Sequence, residues 1–444
     1  MPPEPEEAAP GGGATTADPT TFLFDLSLLL VAAFLAGELA RQLGQLALVG
    51  QLLVGVALGP SLLAPYDGLS SLGPELTAIQ VMGTIFIVFM AGLLVTPGTI
   101  IRMGASEVIL GVGIFVVPFA VTSVLARLLL PGASGLLPLF IGLTISITAL
   151  PVMGVMLAEL GLLRERIGTL LMDAALVNEL FSVSVFAILL RLTEGGTGVA
   201  ADVSSFSIAI LSVAVFMGVI LGIHELLRTL DATSWWSGSR VRAARALRSR
   251  EVGLALVLVF VIIGALFSQF LGLTYILGAF YAGVLVSEGF AGLETHWAVQ
   301  RVFDAFTWGF FIPLFFAFVG VEMDLHQIAT RTGLLLLLVL AATAILTKVG
   351  SGYSIARLFR WSRSDSLLVG QLVSSRGAVE LAMAVVLLSD GIFTTQIFTV
   401  VAAVGLVTTV IAPMGAGRAR KAVAPPATAS PPGPGATRSS FRTP

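Results

Sequence analysis

The chain contains no cysteine and very little charge. Only 11% of its 444 residues are charged, against about a quarter in a typical soluble protein. The absence of cysteine excludes disulfides, thiolate nucleophiles and cysteine-ligated metals. The three histidines, His224, His296 and His326, are isolated in sequence and give no metal-site spacing. No Gly-x-Ser-x-Gly elbow or His-Glu-x-x-His motif occurs, so the sequence predicts neither an enzyme nor a cofactor.

Apolar residues dominate what is present. Hydrophobic types make up 56% of the chain, and the net charge of -2 gives no indication of a nucleic-acid partner. A soluble core of this size has no room for so much apolar side chain, so we predict an all-α polytopic protein whose main solvent is membrane lipid. A helix needs about 20 apolar residues to cross the bilayer. Thirteen stretches fit, and the alternative count merges the short ninth with the eighth. The stretches are 22–40, 44–63, 76–95, 106–130, 136–158, 167–190, 204–226, 252–271, 273–287, 303–321, 332–356, 366–388 and 393–414.

The basic residues divide unequally between the two sides of this topology. If the spans alternate, one side carries 19 Lys and Arg residues, in the loops after odd-numbered spans and in the C-terminal tail. The other side carries only Arg127, Arg191 and Arg331. Because cytoplasmic loops carry the excess of positive charge, this division predicts a multi-pass protein of the cell membrane, with the N-terminus outside and the C-terminus in the cytoplasm.

A shift of 228 residues aligns features of the two halves without a gap. The aligned pairs are Gly50 with Gly278, Gly55 with Gly283, Gly92 with Gly320, and Thr148 with Arg376. Each span lies seven spans from its mate, so the halves form an inverted repeat. The predicted organisation is a disordered N-terminal tail (1–20), a first repeat (22–190), a linker helix (204–226), a basic cytoplasmic loop (227–250), a second repeat (251–414) and a disordered basic C-terminal tail (415–444).

Two spans at matching positions of the repeats are predicted to be broken. The fifth contains a hydroxyl-rich run that includes Ser146 and Thr148 and ends at Pro151, and the twelfth contains Ser375, Arg376 and Gly377. A simple proline kink is the alternative for the fifth span. Paired interruptions in two inverted halves indicate a binding site near the middle of the membrane, formed by crossed discontinuous helices.

Ionisable side chains inside the predicted spans are the strongest indication of function, because each costs about 3 kcal/mol or more at the bilayer centre. Glu179, Lys348 and Arg376 lie deepest, and Asp173 and Glu380 follow. A carboxylate such as Glu179 can alternate between a proton and a cation, with an amide oxygen of Asn178 as a neutral ligand. The alternative is an ion pair of Glu179 with one of the two cations that only ties helices together. Asp173 lies about 120° around the helix from Glu179, and Glu380 is in ion-pair reach of Arg376.

Over residues 22–414 the chain resembles the bacterial monovalent cation:proton antiporter-2 family, which has the sodium/proton exchanger fold. The motifs that carry the resemblance are Gly37-Glu38-Leu39-Ala40-Arg41, Val49-Gly50-Gln51, Ser146-Ile147-Thr148-Ala149-Leu150-Pro151, Ala158-Glu159-Leu160-Gly161, Val177-Asn178-Glu179, Pro313-Leu314-Phe315-Phe316, Thr347-Lys348 and Ser375-Arg376-Gly377-Ala378-Val379-Glu380. The resemblance implies a homodimer of thirteen-helix protomers, each with a dimerisation domain and a six-helix core domain. It also implies that Asn178 and Glu179 bind the ion, and it assigns the family's lysine to Lys348 and its broken-helix threonine to Thr148.

The chain departs from the family in having Glu rather than Asp as the second residue of the Asn178-Glu179 pair. Glutamate is longer by one methylene, which changes the reach of the site. Because the first residue is Asn, the resemblance favours electroneutral exchange. We therefore predict a transporter that exchanges Na⁺ or K⁺ for H⁺ by alternating access, with these two residues as the ligands of the metal ion. A gated cation channel or efflux pore of the same fold is the alternative.

Overall fold

The structure is a computed structural model that describes residues 19–61, 74–93, 103–133, 135–162, 165–193, 250–289, 303 and 305–423, with isolated positions between 207 and 229. Within these residues the chain is helical and contains no β-strand. The helices are α1 (Pro19–Gln42), α2 (Ala47–Leu58), α3 (Pro74–Leu93), α4 (Ala105–Leu129), α5 (Leu137–Ser146), α6 (Leu150–Glu159), α7 (Arg166–Thr193), α8 (Arg250–Phe270), α9 (Tyr275–Gly289), α10 (Ile312–Glu322), α11 (Leu325–Ile328), α12 (Arg331–Leu358), α13 (Arg363–Leu372), α14 (Ala378–Ser389) and α15 (Thr395–Val423). A π-helical turn, Thr307–Phe311, leads into α10.

Twelve of the predicted spans coincide with these helices, two of them as pairs of half-helices. The eighth and ninth are separate, because the chain turns at Gly272, whose φ of 70° favours glycine. The predicted span 204–226, loop 227–250 and tail 1–20 lie largely outside the described residues, so the count of thirteen stays a prediction. At the other end α15 continues to Val423, beyond the predicted end at residue 414.

The lengths of the helices follow from their role in the membrane. Helices α1, α3, α4, α7 and α12 are long and apolar enough to cross a bilayer individually. The other apolar helices contribute shorter apolar stretches, such as Val257–Phe270 in α8 and Thr395–Ile411 in α15. A half-helix crosses only part of the bilayer, and its free backbone groups must then be satisfied within the protein. The two interrupted spans are therefore the places at which polar side chains are needed in the interior.

The described helices pack as two groups. Helices α1, α2, α3, α8, α9 and α10 pack mainly on one another, and we call them the scaffold group. Helices α4 to α7 and α12 to α15 form the second set, which we call the core group. The short helix α11 joins them in sequence, and contacts between the groups are sparse by comparison.

Close backbone contacts at glycine follow the predicted 228-residue repeat. A Cβ atom at Gly55 would lie 2.0 Å from the Ala317 carbonyl oxygen, and one at its mate Gly283 would lie 2.3 Å from the oxygen of Phe89, the mate of Ala317. The same reciprocity joins Gly92 to Phe280 O (1.9 Å) and Gly320 to Leu52 O (2.3 Å). No side chain fits at these crossings, so the helix backbones touch. The two halves thus build equivalent packing, which confirms the repeat.

Candidate ion-binding site

The two interruptions cross in the interior of the core group. Helix α5 ends at Ser146 and α6 begins at Leu150, whereas α13 ends at Leu372 and α14 begins at Ala378. The two breaks are joined directly, because Ala149 N–H donates to Ser375 O at 3.1 Å. This arrangement confirms the predicted crossed discontinuous helices.

Local sequence explains where the breaks fall. Pro151 is the second residue of α6, a position where a missing N–H removes no hydrogen bond within the helix. It therefore starts a new helix rather than kinking a continuous one, so the alternative of a simple kink is wrong. In the other break Gly377 allows close approach, since a Cβ atom there would lie 2.7 Å from the Ala149 Cβ.

Thr148 and its repeat mate Arg376 cap the opposite half-helices in a reciprocal way. The Thr148 hydroxyl donates to Val373 O, just after α13, at 3.0 Å. The Arg376 guanidinium donates to Ile145 O, the mate of Val373, at 2.5 Å and to Thr144 O at 3.1 Å. The free carbonyls at the carboxyl end of a helix carry partial negative charge, which favours such donors.

Lys348 binds the same end of α5. Its ammonium donates to Ser146 O at 2.5 Å and to the Thr148 hydroxyl at 2.6 Å. Two cations from the second repeat therefore stabilise the last carbonyls of one half-helix. Glu380 partners one of them, because its Oε1 accepts from Arg376 at 2.8 Å. The four groups Thr148, Lys348, Arg376 and Glu380 are each at most 1% exposed.

Asn178 bridges the two sides of the first break. Its Oδ1 accepts from the Thr148 N–H at 2.8 Å, and its Nδ2 donates to Ser146 O at 3.1 Å. Both groups are backbone atoms that the interruption of the helix leaves without a partner in the helix. The asparagine is thus a structural part of the break as well as a predicted ligand.

Glu179 stands beside this network without joining it. The residue is 0% exposed, and neither carboxylate oxygen makes a hydrogen bond. The backbone N–H of Leu150, at the start of α6, approaches the carboxylate but lies outside hydrogen-bond geometry. Lys348 and Arg376 both bind carbonyl groups instead, so the alternative of an ion pair between Glu179 and either cation is wrong for this conformation. A buried carboxylate without a partner requires a proton or a cation as compensation.

The remaining predicted residues are placed as follows. Asp173 is half-buried and interacts electrostatically with Glu107, near the start of α4. The Ser146 hydroxyl donates to Leu143 O at 2.7 Å, within α5. The Ser375 hydroxyl is buried and has no partner. The sequence prediction did not identify the carbonyls of Thr144 and Ile145, which accept hydrogen bonds from Arg376. Only the position of the predicted break indicated that carbonyls in this segment lack partners within the helix.

Few side chains in the described part of the chain could act together as ligands of a metal ion. They contain no group of three or more His, Asp and Glu side chains that could hold a metal ion. The neutral side-chain oxygen atoms at the crossing of the broken helices are those of Asn178 and Thr148. One carboxylate with neutral oxygens suits a proton or a weakly bound monovalent cation better than a divalent one.

Comparisons with known proteins agree with this architecture. Over 397 residues the chain is 28% identical to the Na⁺/H⁺-K⁺ antiporter GerN of Bacillus cereus, covering 88% of this chain and 94% of GerN. It is 26% identical over 414 residues to the K⁺/H⁺ antiporter 1 of Saccharomyces cerevisiae, covering 88% of this chain and 45% of that longer protein. The solved structure of the sodium proton antiporter MjNhaP1 from Methanocaldococcus jannaschii matches with a TM-score of 0.63 at 13% identity, covering 91% and 98% of the two chains, and shows the same fold. The model of the transmembrane sodium/hydrogen exchanger family matches residues 28–419, and the chain therefore belongs to this family of membrane transporters.

Proposed function

We propose that this protein exchanges a monovalent cation, Na⁺ or K⁺, for H⁺ across the cell membrane, and that both ions bind at Glu179. The observation that carries the proposal is the isolation of this carboxylate. It is fully buried beside the crossing of two broken helices, and it has no hydrogen-bond partner. The relatives named as Na⁺/H⁺-K⁺ and K⁺/H⁺ antiporters support a monovalent cation as the second substrate.

Asn178 and Thr148 supply neutral oxygens to the cation in this proposal. In the present conformation the Asn178 Oδ1 accepts one hydrogen bond, from the Thr148 N–H. A carbonyl oxygen has two lone pairs, so this bond leaves one for a cation. Lys348, Arg376 and Glu380 are supporting charges that hold the ends of the half-helices.

The charges near the crossing support electroneutral exchange. Lys348, Arg376 and Glu380 together contribute a net charge of about +1 if all three are ionised at neutral pH. Protonated Glu179 adds nothing, and ionised Glu179 with one bound monovalent cation also adds nothing. The two loaded states therefore have the same charge. Only the empty state leaves an uncompensated carboxylate in the interior. Because this state has a high energy, the site crosses the membrane only with a proton or a cation bound, and the movements of the two ions are thereby coupled.

Alternating access requires that one part of the protein moves relative to another. The glycine crossings at Gly55, Gly92, Gly283 and Gly320 join helices of the scaffold group, and Gly377 packs within the core group. Such backbone contacts favour two internally rigid groups. We propose that the core group carries Glu179 past the scaffold group, which forms the interface of a homodimer. The predicted orientation, with the N-terminus outside, is part of this proposal.

Proteoliposomes provide the test. Gradients of Na⁺, K⁺ and Li⁺ are imposed in turn, and internal pH is followed with a fluorescent dye. We expect cation-driven pH changes that Glu179→Gln abolishes, because the amide cannot exchange a proton. The matched control is Glu38→Gln, which removes an exposed carboxylate that pairs with Arg41 at 3.5 Å. Native exchange in Glu179→Gln would refute the proposal.

The same vesicles distinguish the alternative, a gated cation channel. A channel carries K⁺ without obligatory proton counterflow, and its flux follows the membrane potential. An electroneutral exchanger reaches the same final pH gradient at zero potential and at an imposed potential of 100 mV, which is worth about 2.3 kcal/mol per net charge moved.

A further inference from the structure

A small cavity lies in the interior, between the scaffold group and the core group. Its walls include Leu52 of α2 and Phe316 of α10 on one side, and Glu380 of α14 and Thr409 of α15 on the other. Each of these residues is at most 4% exposed. The volume of about 10 Å³ is close to the smallest space that holds one water molecule. Any ligand of this cavity is therefore no larger than a water molecule or a bare metal ion.

Two buried polar atoms of opposite kind belong to residues in the wall of this cavity. The Glu380 Oε2 atom is an acceptor and the Arg376 Nε–H group is a donor, and neither has a hydrogen-bond partner among the described residues. The other carboxylate oxygen, Oε1, accepts from Arg376 Nη1 at 2.8 Å. Thr409 adds a hydroxyl, which can both donate and accept. Because unpaired polar groups are unfavourable in the interior, these groups suit a small ligand that also donates and accepts.

This cavity is the counterpart of the ion site in the second repeat. The 228-residue shift pairs Leu406, in the wall of the cavity, with Asn178, and it pairs Val407 with Glu179. The second repeat thus has an apolar pair where the first has the predicted ion ligands. Its own buried acid, Glu380, stands on the broken helix instead. Each half of the protein therefore places one buried acid beside its break, but on different helices.

The local charge decides which kind of ligand suits the second site. The guanidinium of Arg376 already compensates ionised Glu380, and Lys348 brings a further positive charge to the same crossing. A cation in the cavity would be repelled by both basic groups. A water molecule is neutral, and it can accept one hydrogen bond and donate two. Water therefore fits the cavity in size, in charge and in hydrogen bonding.

We propose that the cavity binds one water molecule, which accepts from Arg376 Nε and donates to Glu380 Oε2 and to the Thr409 hydroxyl. The water completes the hydrogen bonds of the Arg376–Glu380 pair, and it thereby supports the guanidinium that holds the end of α5. The second repeat thus has a hydration site where the first repeat has an ion site. This inference is independent of the proposed exchange function, because it depends only on packing and hydrogen bonds.

Gly405 allows the cavity to be filled by a single methyl group. It lies in the wall, and the nearest atom to a Cβ there, outside its own stretch of helix, would be Glu380 Oε1 at 3.7 Å. If the cavity holds water, Gly405→Ala displaces it, and the detergent-solubilised protein should unfold at a lower temperature than the parent. A dry cavity predicts a higher temperature, because a methyl group that fills a void and replaces a helical glycine is stabilising.

Gly350→Ala is the matched control for this substitution. Gly350 is an exposed helical glycine, and a Cβ atom there would meet nothing within 4 Å. The control should unfold at the temperature of the parent or slightly above it. If Gly405→Ala raises the unfolding temperature as much as the control does, the proposal is overturned.

Radiolytic hydroxyl-radical labelling detects the water directly, because radicals formed at a bound water oxidise the adjacent side chain. We expect oxidation of Phe316, in the wall of the cavity, and not of Phe318, which is equally buried within an apolar cluster. Thr409→Val should lower the oxidation of Phe316 by up to about 5-fold, the effect of one lost hydrogen bond on water occupancy. Thr408→Val should leave it unchanged, because this neighbouring hydroxyl donates to carbonyls of its own helix.

The ions in the buffer separate a bound water from a bound cation. The oxidation of Phe316 should be the same in Na⁺, K⁺ and choline. A decrease in Na⁺ or K⁺ alone would place a cation at Glu380 and overturn the assignment of a neutral ligand. Oxidation of Phe316 no greater than that of Phe318 would also overturn it. None of these measurements requires transport, so the hydration site and the exchange function can fail separately.

Discussion

Asn178, the only asparagine in the chain, provides the sharpest test of how the first break is held together. Asn178→Ala removes the acceptor of the Thr148 N–H and one donor to Ser146 O. Ser146 O keeps its bond to Lys348, but the Thr148 N–H becomes a buried donor without a partner. An orphaned group costs about 1–3 kcal/mol and a lost hydrogen bond about 1 kcal/mol, so we expect a loss of about 2–4 kcal/mol.

The assay is thermal unfolding of the detergent-solubilised protein, with exchange in proteoliposomes as the second measurement. Asn178→Ala should lower the unfolding temperature by several degrees and reduce exchange, because the break that faces Glu179 loses its bridge. Asn178→Asp should lose less stability, since a carboxylate still accepts from the Thr148 N–H. Ser182→Ala is the control: this equally buried hydroxyl on the same helix donates only to Asn178 O, at 2.7 Å. If Asn178→Ala unfolds at the same temperature as Ser182→Ala, the bridge does not hold the break.

Two further predictions concern close backbone contacts. Gly377→Ala should destabilise the protein by about 1–3 kcal/mol through overpacking, because its Cβ would lie 2.7 Å from the Ala149 Cβ. Adding Ala149→Gly to the same chain should restore part of the lost stability. If the second substitution restores none of it, the contact is refuted. Gly55→Ala and its repeat mate Gly283→Ala should reduce the amount of folded protein to a similar extent, since both new methyl groups would meet a backbone carbonyl. Detergent-stable yield, measured by size-exclusion chromatography, checks this equivalence, and an effect confined to one of the two mates would contradict it.

The breaks illustrate which part of the site was predictable. Pro151 and the run of small and polar residues at Ser375–Gly377 mark interruptions in apolar helices, and both can be recognised in the amino-acid sequence. The crossing of the two breaks followed from their equivalent positions in the repeat. The reciprocal caps, however, depend on which carbonyls each break presents to the other, and those carbonyls are not visible in the sequence. Arg376 was predicted as a support, but its partners Thr144 O and Ile145 O were not.

The charged groups show the same division. Their depth followed from their distance to the ends of apolar spans, so Glu179, Lys348 and Arg376 were found without a structure. Their partners did not follow. Lys348 is 202 residues from Ser146, and the Arg376–Ile145 bond spans 231 residues. Sequence reasoning left an ion pair with Glu179 open, whereas the packed helices bring both cations to the end of α5.

The amino-acid sequence alone determined that the protein is embedded in a membrane and which segments form its helices. It also determined that the two halves repeat and which acidic residue lies deepest in a predicted span. These properties depend on local composition and spacing, because the bilayer requires long apolar helices and makes each charge within them expensive. The tertiary structure alone decided that neither carboxylate oxygen of Glu179 makes a hydrogen bond and that Asn178 bridges the break. A side chain's partners depend on distances of a few ångströms between segments remote in sequence, which only the packing of the helices sets.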